Sequence, residues 1–401
     1  MALSAIGLFV SSWIVIPAPT FLLLPLSVGA PEISPWLVVG NAIALLLLLQ
    51  AKFRRHWLYR FGLAASLLAL MLSLLPLLQL PGTHQRFETV ISSALGADYL
   101  KGISAAAQQK MRPAPFVLVD AFRGIPAAKI RQTTGIEFAR PDRVPLRLNL
   151  YQPAQVGSYP ALVVVHGGAW QSGHPSDNEA FSRYLAARGY VVVAIGYRYA
   201  PRFQFPAQLE DLQAALVHLQ QRAAEYEIDP DRMAIMGRSA GSQLAMLAGY
   251  QPSPFQFKAV IGYYGPVDLK VGYYDLPSPD PIDIRAVLRS YLGGTPQQVG
   301  DRYQQASPWQ FVTRSLPPTL LVYGDRDHLV EAKFGRAMSE RLQASGNRAV
   351  YLEIPWADHA FDSIFNGVSN QLALYSTERF LAWAVHQPDS LPDKTGVFLN
   401  R

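Results

Sequence analysis

Three runs within the first eighty residues carry no charged side chain: "IGLFVSSWIVIPAPTFLLLPLSV" (6–28), "WLVVGNAIALLLLLQA" (36–51) and "FGLAASLLALMLSLLPLLQL" (61–80). No other feature constrains the chain as strongly, because a bilayer core takes about 20 consecutive apolar residues as a helix. The first and third runs are long enough to span, and the second spans with its flanks. Three transmembrane helices are therefore predicted, at about 6–28, 35–51 and 61–80. Pro17, Pro19 and Pro25 fall inside the first run and predict a kink or a re-entrant hairpin there. A cleaved signal peptide is the competing reading of that run, but no Lys or Arg precedes it and it is longer than such apolar regions usually are. Lys52, Arg54, Arg55 and Arg60 follow the second run, whereas the loop before Trp36 holds only Glu32. Positive charge stays on the cytoplasmic side. Residues 52–60 are thus expected inside, and everything after Leu80 on the exoplasmic face.

Composition narrows the classes further. Half of the 401 residues are hydrophobic, 16% are charged, and the net charge is +6. Part of that excess lies in the anchor region, and no basic run with interleaved aromatics follows residue 81, so no nucleic-acid partner is expected. The absence of cysteine excludes disulfides, thiol catalysis and cysteine-based metal centres. No cluster with metal-ligand spacing and no phosphate-binding glycine loop appears, so neither a metal nor a cofactor is expected.

Beyond the anchor (1–81), a stretch of mixed helical periodicity at 82–128 reads as a connector or small helical lid. "IRQTTGIEFAR" and "VPLRLNLYQP" then alternate as two antiparallel strands around the turn signal "PDR". From there, continuous Val/Ile/Leu runs ("ALVVVHGG", "YVVVAIGYR", "DRMAIMG", "FKAVIGYYG", "PTLLVYGD", "AVYLEIP") alternate with helical segments such as "AQLEDLQAALVHLQQRAAEY" and "AKFGRAMSERLQASG". Strands of that kind alternating with helices predict an α/β fold, a mostly parallel sheet covered on both faces. Its extent is 129–390, with a lid-like insertion at about 266–312 that is rich in Pro, Asp and Tyr.

In such a sheet, reactive groups collect at the carboxyl ends of the strands. Four segments fall there: "HGGAW", "GRSAG", "GDRDHLV" and "DHAF". They present serine, then acid, then histidine, the chain order of an α/β-hydrolase triad. Ser239 is the candidate nucleophile. Its hydroxyl needs a base and must project clear of the backbone, which a tight strand-to-helix turn between Gly237 and Gly241 allows. His359, in the loop after the last strand, is the candidate base; His328, His166 and His174 are its rivals. Asp327 is the candidate acid orienting His359, with Asp325 its neighbour and rival. Gly167, Gly168 and Ala240 are the candidate oxyanion donors, since backbone N–H groups in a glycine loop and at a helix start can approach a developing oxyanion. Trp170, Arg238, Tyr263 and Phe361 flank this site and are candidates for the substrate pocket, with Tyr264 beside them. Core packing is the alternative for the aromatics, and a surface ion pair for Arg238.

The run from "HGGAWQSG" through "GYRYAPRFQFPAQLEDLQAAL", "YEIDPDRMAIMGRSAG" and "YGDRDHLV" to "DHAFD" resembles the hormone-sensitive-lipase-like esterases of the α/β-hydrolase superfamily, over about 129–385. That resemblance implies hydrolysis of a carboxylic ester through an acyl-enzyme at Ser239. Two positions depart from it: Arg238 stands where those esterases usually carry Asp, and Ala169 where a third Gly is common. "HGGAW" is similar instead to feruloyl-esterase-like, kynurenine-formamidase-like and prenylcysteine-methylesterase-like members, the last of which also carry membrane helices. The expected partners are the membrane and a small-molecule or lipid-like ester. A serine peptidase or amidase and an acyltransferase share this triad, and a binding module that kept the fold without the chemistry is the non-enzymatic alternative.

Overall fold

The computed structural model describes residues 1–50, 57–126 and 128–386. The basic stretch 51–56, with Lys52, Arg54 and Arg55, lies outside the described residues, as does the C-terminal end of the predicted 129–390 unit.

The apolar N-terminus does not fold as three separate spans. The first run holds a short helix, α1 (Ala2–Ser12), then a bent loop, a single 3-10 turn and α2 (Leu24–Glu32). Pro17 and Pro19 sit in the loop, where their missing N–H groups end the helical ladder. Pro25 lies in the first turn of α2, a position that tolerates it. Pro35 likewise opens α3 (Ser34–Leu49), and the axis turns by 82° between the two helices. Among the described residues, α4 (Trp57–Leu95) is the only single helix long and apolar enough to cross a membrane, and the bent pair, counted as one span, would make a second. Hydropathy alone therefore overcounted the spans. At 39 residues, α4 extends about 58 Å at the usual rise of about 1.5 Å per residue.

α1, α3 and α4 pack side by side around a polar node, where Asn41 Nδ2 donates to Ser11 Oγ at 3.0 Å and to Ser73 Oγ at 3.4 Å. The outer faces of the bundle expose large apolar side chains, among them Ile6, Phe9, Ile43, Leu47, Phe61 and Met71. The lower end of α4 turns its Phe87, Ile91 and Leu95 into the core of the following unit. α5 (Ala105–Lys110) and α6 (Leu118–Arg123) complete the connection.

That unit is built on one eight-stranded sheet. β1 (Ile130–Ala139) and β2 (Leu146–Pro153) form an antiparallel hairpin, and β2 pairs antiparallel with β4 (Val191–Ile195). β3 (Tyr159–Val165), β5 (Ile228–Arg238), β6 (Ala259–Tyr263), β7 (Thr319–Gly324) and β8 (Ala349–Ile354) continue it in parallel, giving the order β1-β2-β4-β3-β5-β6-β7-β8. β3, β4, β6 and β7 are buried along almost their whole length, as strands covered on both faces must be. The covering helices are α7 (Glu179–Ala186), α8 (Ala207–Gln221), α9 (Ala240–Tyr250), α13 (Ala332–Ala344) and α14 (Val368–His386). Between β6 and β7 the chain inserts α10 (Leu269–Tyr274), α11 (Ile284–Leu292) and α12 (Gly300–Gln305) over the carboxyl edge of the sheet. The loops after β3, β5, β7 and β8 meet beneath this insertion.

Candidate active site

β5 ends at Arg238 and α9 begins at Ala240, so Ser239 is the whole turn between strand and helix. Its backbone stands at φ 51°, ψ −123°, a conformation that serine rarely adopts. The flanking glycines make the turn possible. A Cβ on Gly237 would lie 2.0 Å from the Gly241 carbonyl oxygen, and one on Gly241 would lie 2.3 Å from the carbonyl oxygens of Val165 and His166. The Ser239 N–H is tied to Tyr263 O at 3.0 Å, which fixes the turn against β6.

From this turn a chain of hydrogen bonds runs inward. Ser239 Oγ and His359 Nε2 are 2.9 Å apart, and His359 Nδ1 and Asp327 Oδ2 are 2.8 Å apart. Asp327 Oδ1 accepts the N–H groups of Leu329 and Val330, each at 2.8 Å, so the carboxylate is held at both oxygens. Burial of His359 opposes its charged form, but the Asp327 carboxylate and its hydrogen bond, then Asp358 and Asp362, outweigh it and raise the imidazole above its ordinary value of 6.5. Asp358 also accepts the His359 N–H at 2.7 Å, and the Tyr264 ring lies 4.6 Å from the imidazole. The rivals sit elsewhere: Asp325 is exposed, and burial pushes His166 down to about 4, a neutral ring stacked on Tyr197.

The His-Gly-Gly loop lies against the serine turn. A Cβ on Gly167 would approach Arg238 O to 3.0 Å and Ser239 Cβ to 3.2 Å, and one on Gly168 (φ 108°) would meet Ser172 O at 2.2 Å. Only glycine lets this backbone come so near Ser239. Ala240 is the first residue of α9, where a backbone N–H has no partner within its own helix. Trp170 braces the loop: its ring stacks on Tyr291 of α11 with centroids 4.1 Å apart, and its Nε1–H donates to Gln243 Oε1 at 2.9 Å. Gln243 Nε2 in turn donates to Ala306 O at 2.6 Å. Loop, insertion and nucleophile helix are thereby one assembly.

These groups open into a cavity of about 1170 Å³. Gly167, Gly168, Trp170, Arg238, Ser239, Ala240 and His359 line it. Tyr263 and Phe361 do not: both are fully buried in the core, with Tyr263 Oη hydrogen-bonded to Thr377 Oγ1 at 2.7 Å. Tyr264 lines the cavity in their place. Arg238 is corrected too. It is no free cation but a buried one, paired through Nε with Asp362 Oδ2, while Tyr264 Oη donates to the other oxygen of that carboxylate. Sequence reasoning missed Asp362, although it stands three residues after His359, and Gln243, for which α9 gives no local signal. It also missed Pro19, Thr20, Phe21 and Leu24 from the N-terminal segment, which form one wall of the cavity.

The parallel sheet, the serine turn at the end of its central strand and the hydrogen-bonded Ser-His-Asp order define the class: the chain has the fold and the site arrangement of an α/β-hydrolase. Within that class the BD-FAE family model matches residues 148–342. Relatives include a probable carboxylic ester hydrolase, LipM, of Mycobacterium tuberculosis, 31% identical over 56% of this chain and 54% of that protein. Esterase LipC of the same organism is 34% identical over 51% of this chain and 53% of its own. The chain thus spans about half the length of the curated relatives it matches. Among solved structures, esterase 2 of Thermogutta terrifontis superposes with a TM-score of 0.51 at 27% identity, over 63% of this chain and 90% of that one. The same enzyme has been solved phosphonylated by sarin.

Proposed function

We propose that the protein is a membrane-associated serine carboxylesterase. The observation that carries this reading is the continuous hydrogen-bond chain from Asp327 through His359 to Ser239, at the floor of a large cavity. In the reaction, His359 Nε2 takes the Ser239 proton as Oγ attacks the ester carbonyl. The resulting oxyanion faces the N–H groups of the Gly167–Gly168 loop and of Ala240, donors of a kind worth about 3–4 kcal/mol each in a barrier. His359 then protonates the leaving alcohol, and water attacks the acyl-enzyme with the same base. Asp327 holds the imidazole in the tautomer with Nδ1 protonated and stabilises its charged form. The relatives' esterase names support ester over amide as the substrate bond.

The same reading takes 1–81 as the membrane part, 129–390 as the hydrolase unit and 266–312 as a lid-like insertion. The insertion contributes Pro266, Val267, Leu269, Ile284 and Leu288 to the cavity wall, which supports that role. In the sequence, the loop before Trp36 holds only Glu32 whereas the stretch 52–60 is basic, an asymmetry that favours an exoplasmic hydrolase.

The test is labelling of the detergent-solubilised full chain by a fluorophosphonate probe, together with hydrolysis of p-nitrophenyl acetate. The parent is expected to label and hydrolyse. Ser239→Ala is expected to do neither, and His359→Ala to fall by several orders of magnitude. A folded parent that neither labels nor hydrolyses would overturn the reading.

A further inference from the structure

Resting on that esterase reading, we infer that the substrate is an uncharged, long-chained ester that enters the cavity from the bilayer. The N-terminal segment is a wall of the cavity as well as an anchor. Pro19, Thr20, Phe21 and Leu24 face the same space as Ser239 and His359. The segment is fixed to the hydrolase-like unit at several points: Arg326 donates to Val15 O, Ser27 lies near Asp358, and Glu32 Oε2 accepts the N–H of Ser369 in α14 at 2.8 Å. Asp358 is the residue immediately before the candidate base.

The outward side of this wall is apolar. Phe21 is 70% and Leu22 85% exposed, and they lie between α1 and α3, whose own outer faces expose Ile6, Phe9, Ile43 and Leu47. Side chains of that size left bare beside a helix long enough to span a membrane are matched by lipid. The wall therefore sits where the bundle leaves the hydrocarbon, and an amphiphile dissolved in the bilayer meets Phe21 and Leu24 before it meets water. At about 1170 Å³ the cavity is large, beyond the 300–1,000 Å³ that ligand pockets roughly span. That is room for an extended acyl chain.

Charge sets the headgroup. Asp177, Glu179, Asp268, Asp280 and Asp283 line the cavity, and the one lysine or arginine among its described lining residues, Arg238, is buried and paired through Nε with Asp362, its Nη1 and Nη2 having no hydrogen-bond partner among the described residues. A phosphate or sulfonate headgroup would meet five carboxylates against one buried cation whose charge Asp362 already balances. A glycerol-like or other uncharged alcohol meets no such penalty.

The experiment uses the full chain in nanodiscs of zwitterionic phosphatidylcholine, with p-nitrophenyl acetate, p-nitrophenyl octanoate and 4-octanoyloxy-3-nitrobenzoate as probes. The last carries the same acyl chain on an anionic leaving group. The parent is expected to favour octanoate over acetate, and the neutral over the anionic octanoyl ester, each by at least tenfold in kcat/KM. The double substitution Phe21→Asp with Leu24→Asp is expected to lower the octanoate-to-acetate ratio at least tenfold. Leu24→Trp, which narrows the wall without adding charge, should shift the preference toward shorter chains. An unchanged ratio in both variants would overturn entry along this wall, and equal rates on the two octanoyl esters would overturn the uncharged headgroup. Hydrolysis of none of the three, with no fluorophosphonate labelling, would instead overturn the esterase reading on which the inference rests.

Discussion

Ser239 stores strain that can be released without touching any other residue. Its φ of 51° and ψ of −123° are those of the first central position of a type II′ turn, where glycine dominates. Holding a residue with a Cβ there costs about 1–3 kcal/mol. Ser239→Gly removes that cost, but glycine widens the unfolded ensemble, which returns about 0.4–1 kcal/mol. The net expectation is a gain of about 1 kcal/mol. Ser239→Ala is the proper reference, because it keeps the Cβ and loses the same Oγ contact to His359 Nε2 at 2.9 Å. The difference between the two variants therefore isolates the strain. At about 2–4 °C per kcal/mol for a domain of this size, the glycine variant should melt about 2–4 °C above the alanine variant. Thermal unfolding followed by tryptophan fluorescence, both proteins in one detergent, measures it. A glycine variant that melts at or below the alanine variant would refute the account of the turn, whatever the activities show.

Three further outcomes follow from the same geometry. Because Asp327 and its neighbours raise His359 above 6.5 against the opposing effect of burial, the imidazole is neutral, and able to act as base, only above that raised value. The acidic limb of the kcat/KM profile is therefore expected above pH 6.5, and Asp327→Asn should move it to lower pH while lowering kcat by about 10⁴-fold. Gly241→Ala sets a methyl group 2.3 Å from two backbone carbonyl oxygens, which cannot swing aside; displacing the nucleophile by about 1 Å costs about 100-fold, so kcat should fall at least that far. Asp362→Ala strands the buried Arg238 cation and should cost about 3–5 kcal/mol in denaturant unfolding, whereas Arg238→Met combined with Asp362→Leu should cost markedly less.

The geometry that proved hardest to anticipate is that of side chains adjacent in sequence. Tyr263 and Tyr264 are consecutive, and composition treats them alike, but Tyr263 is the last residue of β6 whereas Tyr264 lies beyond it with φ 38°, where the backbone turns. Tyr263 goes under α14 to Thr377, and Tyr264 reaches Asp362 in the cavity. Which of the two faces the site depends on where β6 ends and how the chain turns there, and a non-glycine residue with positive φ leaves no mark in a continuous apolar run. Ser239, His359 and Asp327 were legible for the opposite reason. Each lies just past the end of a strand, so its place is set by topology, and the strand–helix alternation is strong enough to give the topology. The third N-terminal run lies within α4, but counting the first two as separate spans failed because hydropathy records apolar length and not continuity. Pro17, Pro19 and Pro35 interrupt the backbone ladder while leaving the mean hydropathy high.

That interruption is what brings the N-terminal segment onto the Ser239 cavity. Had residues 6–28 formed one straight span, Phe21 and Leu24 would lie within the bundle and the cavity would lack a wall. Bent as they are, the helices return the chain across the hydrolase-like unit, where Ser27 lies near Asp358 and Glu32 reaches the first turn of α14. α4 fixes the other side, since it runs unbroken through residue 81 and buries Phe87, Ile91 and Leu95 in the hydrolase core. A chain cut at 81 divides that helix in mid-course and removes the cavity wall with it. The full chain is therefore the unit in which substrate preference has meaning, and a truncated hydrolase should retain reactivity toward small esters more readily than selectivity for long ones.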